Sequence, residues 1–269
     1  MEHRVTPSGV HVDDSGGTGP ALVLVHGGFC DATHWRHQVG PLSAGGRRVV
    51  TLDLPGHGRS ARPDSFAVGA MASAVLDVVH RSGAGGCVLV GHSYGSRIVL
   101  DAAVRDPAAV GGVVVVDGSR AGTRSDDGAV LAALRDKGAD RFVTDLFEDM
   151  FVAESDPHVR SEILGALPES DEQKVAGIMS AIVEWDRDEL DGVLARLTAP
   201  VLAIQSTSYG PDNRRRSLRS DSDRTPYLDL LEATLPAVSV QVVPGIGHFT
   251  MLEAPELVTS ALAAFTSGI

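Results

Sequence analysis

The chain has 269 residues, 43% of them hydrophobic, and a formal net charge of −12. That is apolar material enough for one large α/β domain or two small ones. The acidic balance argues against nucleic acid or an anionic membrane surface as the main partner. No apolar run is long enough to span a bilayer, and no opening segment joins a basic start to an apolar stretch. Neither a membrane span nor a signal peptide is therefore expected, and the cytoplasm is the expected location. Two cysteines, Cys30 and Cys87, are too few for a disulfide framework and read as free thiols. The ten histidines are scattered without a metal-binding pattern, so no metal and no cofactor is expected.

Taken in order, residues 1–20 read as an edge hairpin, with Val10-His11-Val12 as a strand and Asp13-Asp14-Ser15-Gly16-Gly17 as a turn. The continuous apolar run Ala21–Val25 predicts a strand covered on both faces and ends in His26-Gly27-Gly28-Phe29. A second such run, Val49–Leu52, ends in Asp53-Leu54-Pro55-Gly56-His57-Gly58-Arg59-Ser60. A helix is expected from about Phe66 to Arg81. Cys87–Val90 then reads as a strand, Ser96–Val104 as a helix and Gly112–Val116 as a strand followed by Asp117-Gly118-Ser119. Strands alternating with helices predict an α/β fold with a mostly parallel central sheet and helices on both faces.

Between about Arg120 and Thr198 only helical pattern appears, with Phe142, Leu146, Phe147, Met150 and Phe151 on one expected helical face. This stretch reads as a helical cap over the carboxyl edge of the sheet. The expected division is a core of residues 1–119 and 199–269 and an inserted cap of residues 120–198. Strands resume at Pro200–Ile204 and Val238–Val243, and a last helix is expected from about Ala254 to Phe265. The connection from Gln205 to Thr225 reads as long and irregular, and Arg214, Arg215, Arg216, Arg219 and Arg224 cluster in it. It either binds an acidic group or a partner subunit, or is solvated with local ion pairs; the acidity of the chain favours the second reading.

Gly91-His92-Ser93-Tyr94-Gly95 stands between the strand at Cys87 and the helix that follows. A strand that turns into a helix within so few residues bends sharply, and a Cβ at either glycine would meet the neighbouring strand or helix. The serine at the apex is then strained and exposed, as in the nucleophile elbow Gly-x-Ser-x-Gly. Without the flanking elements the same five residues would be an ordinary glycine-rich turn.

The order of these pieces resembles the α/β-hydrolase superfamily: a strand with His-Gly-Gly, a strand with Asp-Leu-Pro-Gly-His-Gly-Arg-Ser, a serine elbow, a helical cap, then Gly247-His248 near the end. The resemblance implies Ser93 as nucleophile and His248 as general base. A serine hydroxyl is a poor nucleophile until an adjacent base takes its proton, and imidazole titrates in the right range. A carboxylate must hold the imidazole. Most relatives carry it a few residues after the strand that is here Val201–Ile204, but that loop reads Gln205-Ser206-Thr207-Ser208-Tyr209-Gly210-Pro211-Asp212. In a minority, zearalenone lactonases among them, the acid lies one strand earlier. Here that place is Asp117, 24 residues past Ser93 at a buried strand end, with Asp212 as the alternative acid. A structural Asx turn at Asp117-Gly118-Ser119 is the competing account of that aspartate.

Backbone N–H groups of Gly28 and Tyr94 are the implied oxyanion donors. Phe29, Phe147, Phe151, Trp185 and Phe249 are candidates to line an apolar substrate pocket, against the alternative that these rings only pack the cap on the core. Cys30, His34 and Trp35 could line it too, with core packing an equal alternative for Trp35. His92 is expected to point away from the site, and Asp53 and His57 to serve a structural turn. The resemblance implies a cofactor-free serine hydrolase acting on a small apolar or aromatic ester or lactone through an acyl-enzyme. Thioester or carbon–carbon bond hydrolysis is the alternative, and a non-catalytic ligand-binding protein the more distant one. A homodimer is compatible with this reading and not required by it.

Overall fold

The computed structural model describes residues 1–17, 20–120, 127–210 and 214–269. The chain enters its sheet through an antiparallel pair, β1 (Glu2–Val5) and β2 (His11–Asp14), with Glu2 opposite Asp14 and Val5 opposite His11. Asp13 and Asp14, expected in a turn, are therefore strand residues. Asp14 tolerates burial because its carboxylate accepts from Arg48 at 2.6 and 3.1 Å and from Arg4 at 3.1 Å.

β3 (Leu22–Val25) and β4 (Val49–Leu52) are buried at every residue, as unbroken apolar runs in a parallel sheet should be. Between them a short 3-10 turn (Ala32–Trp35) leads into α1 (Arg36–Ala44), a helix the sequence reading left out. Its pattern is weak, since Pro41 lies inside it and it buries only Gln38 and Leu42. Then come α2 (Val68–Arg81), β5 (Cys87–His92), α3 (Tyr94–Arg105) and β6 (Val110–Val116). Five helices follow without an intervening strand among the described residues: α4 (Asp127–Lys137), α5 (Ala139–Glu148), α6 (Pro157–Gly165), α7 (Glu172–Asp188) and α8 (Leu190–Arg196). Met150 and Phe151 fall beyond the end of α5, so the single apolar face expected from Phe142 to Phe151 is interrupted.

The sheet closes with β7 (Val201–Gln205) and, after an insertion, β10 (Val238–Val242). That insertion is not irregular. It holds an antiparallel hairpin, β8 (Thr207–Tyr209) with β9 (Arg215–Ser217), and the helix α9 (Pro226–Thr234). The chain ends in α10 (Thr250–Glu253) and α11 (Pro255–Thr266). The strand order is β1-β2-β4-β3-β5-β6-β7-β10, parallel from β4 onward. From β3 the chain winds outward to β4, and from β5 outward to β6. The loops leaving β3 and β5 thus part from each other, which opens a crevice at the carboxyl ends of these central strands.

Of the five helices, α7 is tied to α3 by a buried ion pair. Arg97 of α3 grips Asp186 of α7 with two bonds, of 2.8 and 2.6 Å, and both side chains are at most 5% exposed. Removing either partner would strand the other charge, at a cost of roughly 3–5 kcal/mol.

The bend from β5 to α3 depends on close approach. A Cβ at Gly91 would run into the Gly95 carbonyl and lie 2.7 Å from Val99 Cγ2; one at Gly95 would lie 2.6 Å from the His26 carbonyl oxygen and 2.7 Å from that of Val25. Gly192, in α8, faces open space. Gly95→Ala should lower stability by about 1–3 kcal/mol, because backbone must move to admit the methyl group. Gly192→Ala should raise it by up to about 1 kcal/mol through helix propensity alone. Thermal unfolding of the two variants checks this; a Gly95→Ala protein as stable as the parent would contradict the close-packed bend.

Candidate active site

Among the described residues three that are not glycine have positive φ: Phe29 at 61°, Ser93 at 54° and Asp117 at 44°. They follow β3, β5 and β6 at the carboxyl edge of the sheet. Side chains in that region of backbone space cost about 1–3 kcal/mol each, and such strain gathers where a fold holds groups for a task. Ser93 sits between the last residue of β5 and the first of α3, is partly exposed, and has no side-chain hydrogen bond. Its N–H donates to the Val116 carbonyl at 3.1 Å, which ties the elbow to the end of β6.

Asp117 is fully buried and its carboxylate is saturated with donors. Oδ1 accepts from Gln205 Nε2 at 3.0 Å and from the Ser206 and Thr207 N–H groups at 2.8 Å each. Oδ2 accepts from Thr207 Oγ1 at 2.5 Å, Arg215 Nη1 at 3.2 Å and His248 Nδ1 at 2.6 Å. Ser206 and Thr207, in the loop after β7, thus cradle the carboxylate at the end of the adjacent strand. Burial alone would raise the Asp117 carboxyl. His248, Arg215 and Thr207 outweigh it and hold it at about 2.

The same contact defines His248. An ionised carboxylate only accepts, so the neutral ring carries its proton on Nδ1 and leaves a lone pair on Nε2. Nε2 is buried without a hydrogen-bond partner. The backbone of His248 is held on both sides: its N–H donates to the Met150 carbonyl and its carbonyl accepts from His92 Nε2, each at 3.0 Å. Burial pulls the imidazole down to about 4; Arg215 and Arg97 add to the fall and Asp117 opposes it. The structure thus joins Asp117 to His248. Among the described residues Ser93 is not hydrogen-bonded to His248: His248 Nε2 is buried without a partner, and Ser93 is partly exposed with no protein partner for Oγ.

The loop after β3 lies against the elbow. A Cβ at Gly27 would stand 3.3 Å from Ser93 Cβ, and one at Gly28 would stand 3.7 Å from Tyr94 Cβ and 3.2 Å from Ile178 Cγ2 of α7. Tyr94 opens α3, so its N–H has no partner within the helix. Its ring is buried and its hydroxyl donates to the Phe66 carbonyl.

The candidate pocket residues part company. Phe29 and Phe147 line one cavity of about 310 Å³, together with Cys30 and His34. Phe249 does not line it: fully buried, it is the hub of a ring cluster, with Phe151 at 5.2 Å and Phe147 and His248 at 5.7 Å. Phe151 packs on this hub. Trp185 belongs to a different groove, beside Arg105, where its indole N–H is bonded to Asp101 at 3.3 Å. A buried indole N–H needs an acceptor, and Asp101 supplies it on α3, away from the Phe29 cavity. Trp35 is fully buried.

His92 does not point away. Its ring lies 4.6 Å from that of His248 and supports the His248 backbone. Asp53 binds the Ala32 N–H at 2.9 Å and Arg59 Nε at 2.8 Å, as a structural turn requires. Asp212 lies outside the described residues. Arg224 pairs with Asp229 and Glu232 at the surface, but Arg215 is turned inward, with a side chain 4% exposed. Besides Asp117 it binds Thr207 Oγ1 and the Tyr209 hydroxyl, each at 2.7 Å, and its guanidinium stacks 4.5 Å over the Tyr209 ring. Among the described residues no group of three or more His, Cys, Asp or Glu is arranged to hold a metal ion, and no helix is long and apolar enough to cross a membrane.

Residues 22–261 match the model of the alpha/beta hydrolase family. The chain is 27% identical to a mouse protein, sn-1-specific diacylglycerol lipase ABHD11, over 97% of this chain and 86% of that protein. The Xenopus tropicalis protein of the same name is 35% identical over 45% of this chain, a stretch that spans only 38% of its own length. Among solved structures, a thermophilic esterase from Thermogutta terrifontis superposes with a TM-score of 0.79 at 22% identity, covering all of this chain and 99% of the other. Est816, described as an N-acyl homoserine lactone degrading enzyme, gives a TM-score of 0.77 at 22% identity over 98% of this chain and all of the other. At that identity the two structures speak for the fold alone. With the family model matched from β3 to α11, the chain belongs to the alpha/beta hydrolase family.

Proposed function

We propose that the protein is a serine hydrolase that cleaves a carboxylic ester or lactone, with Ser93 as nucleophile, His248 as base and Asp117 as the acid that orients it. The observation that carries this reading is the 2.6 Å contact between Asp117 Oδ2 and His248 Nδ1. It leaves His248 Nε2 as an unprotonated, unpartnered base at the sheet edge where the strained Ser93 stands. Family relatives described as lipases and structural neighbours described as esterases or lactone-degrading enzymes agree with it.

Ser93 Oγ attacks the carbonyl carbon while its proton passes to His248 Nε2. The oxygen that gains charge lies between the N–H groups of Gly28 and Tyr94, which are fixed before the reaction begins. Collapse breaks the carbon–oxygen bond, and the same proton goes to the departing alkoxide. Water then repeats the sequence on the acyl-enzyme, giving its proton to His248 and releasing the acid with Ser93 restored. The helices of residues 120–198 act as the cap, since Ile178 covers Gly28 and the Met150 carbonyl holds His248. Arg215 is a positioning residue: it keeps Asp117 ionised and its charge disfavours the imidazolium.

Ser93→Ala should abolish hydrolysis of 4-nitrophenyl butyrate with the unfolding temperature little changed; retained turnover would end the serine assignment. Asp117→Asn should lower kcat by roughly 10³–10⁴-fold, as loss of an imidazole-orienting acid does; an effect below tenfold would remove Asp117 from the mechanism. The base must be neutral, so kcat/KM falls as pH drops through the pKa of His248 in the free enzyme. Since that pKa is depressed, the acid limb should lie below 6.5, toward 4. Arg215→Met removes a charge that lowers it, so the limb should move upward. A pH profile of kcat/KM for parent and variant tests this, and an unmoved limb would deny Arg215 its role.

A further inference from the structure

Lysine is scarce in this chain: Lys137 and Lys174 are its only two. Lys137 is paired with Asp145 at 2.6 Å. Lys174 is 92% buried, since only 8% of its surface is exposed, and among the described residues its ammonium has no carboxylate within ion-pair distance and no hydrogen-bond acceptor. Nζ faces the ring of Phe29, 6.0 Å from its centroid, and the Asp171 carboxylate, which caps the Lys174 N–H, acts on it only from beyond ion-pair distance. The other buried cations are matched, Arg97 to Asp186 and Arg215 to Asp117. A cation without an ion-pair partner on a side chain held largely out of water is costly, and the face of one aromatic ring and the solvent of the cavity offset only part of that cost. Burial accordingly pulls the Lys174 amine below the usual lysine range.

Lys174 lines the 310 Å³ cavity with Phe29, Cys30, Phe147, Ile163 and Leu167. This cavity adjoins the proposed reaction centre on two sides. Phe29 follows Gly28 directly, and Phe147 packs on Phe249, the neighbour of His248. On α7, Lys174 and Ile178 are four residues apart and share a face, and Ile178 meets the Gly28 position. The backbone of Lys174 therefore lies about one helical turn, roughly 6 Å along the axis, from the Ile178 that meets the Gly28 position. The acidic groups of the same cavity are engaged or at its rim. Asp31 binds Thr33 and faces His34 at 3.8 Å, Glu162 pairs with Arg36 at 2.8 Å, and Glu169 is exposed.

Resting on the hydrolase reading above, we propose that the substrate is a monoanion, an ester or lactone whose carboxylate, a few carbons from the scissile carbonyl, pairs with the Lys174 ammonium over the face of Phe29. The apolar walls take the intervening chain, and the ammonium gains the partner the folded protein withholds from it. Glu162 and Glu169 at the mouth disfavour a second negative charge near the entrance.

The test compares monomethyl glutarate with dimethyl glutarate, titrated calorimetrically into the Ser93→Ala protein, which cannot turn them over. The monoanion should bind about tenfold more tightly, the worth of one good charge pair. In Ser93→Ala/Lys174→Met the ratio should fall to within about twofold, and in Ser93→Ala/Lys174→Arg a preference for the monoanion should persist. Lys174→Met should also raise the unfolding temperature by about 2–4 °C, because an unmatched buried charge is gone; should that variant fail to fold, Lys174→Gln takes its place. Equal binding of the two esters, or a preference that survives loss of the charge, overturns the proposal. Hydrolysis of 4-nitrophenyl butyrate by the parent separates the two ideas. Turnover without a Lys174-dependent preference sinks the carboxylate proposal alone, while that preference without any turnover sinks the hydrolase reading alone.

Discussion

The contact between Asp117 and His248 governs this end of the molecule, because a carboxylate buried so completely must be paid for in hydrogen bonds. Both oxygens are saturated by groups from four parts of the chain: the end of β7, the loop after it, the β8–β9 hairpin and the segment after β10. Each donor fixes the carboxylate, and the carboxylate in turn fixes the tautomer and the plane of the His248 ring. Removing the anion would leave those donors aimed at one buried point with no partner. The arrangement is therefore expensive to alter piecemeal and rigid as a unit.

Strain and support coincide here. Phe29, Ser93 and Asp117 take up unfavourable backbone conformations, and each is held by a well-packed strand below it. Gly91 and Gly95 allow the elbow to press against β3, so the loop bearing Gly28 and the helix that begins at Tyr94 stand side by side. The Arg97–Asp186 pair then pins α7 to α3, and Ile178 of α7 lies over the Gly28 position while Lys174 faces the Phe29 ring. The sheet supplies precise strand ends, and one buried ion pair fixes α7 against the helix that leaves β5.

Much of this was legible in the chain because it is local. The buried strands show as short apolar runs, and Ser93 shows as a glycine-flanked serine between a strand and a helix. The chain marks Asp117 only by its place at a strand end; its contact with His248 joins residues 131 positions apart. What stayed hidden depends on contacts distant in sequence. Five arginines cluster between Arg214 and Arg224, and nothing in their spacing marks Arg215. Only the hairpin register, with Tyr209 opposite Arg215 and Thr207 opposite Ser217, turns that one inward. Nothing near His92 in sequence shows where its ring goes, because its partner is the backbone of a residue 156 positions away. The aromatic character of Trp185 suggests a pocket wall, whereas its N–H binds it to Asp101. Lys174 shares a helical face with Ile178, but that no carboxylate pairs with it among the described residues is a tertiary fact.

The central claim is that Ser93 forms the covalent intermediate with His248 as its base. Labelling with a fluorophosphonate, followed by peptide mass spectrometry, tests it most directly. The account predicts a single stoichiometric adduct on Ser93 that is lost when His248 is replaced by Ala. An unmodified Ser93 in a protein that still hydrolyses esters, or an adduct on another residue such as Cys30, would contradict it.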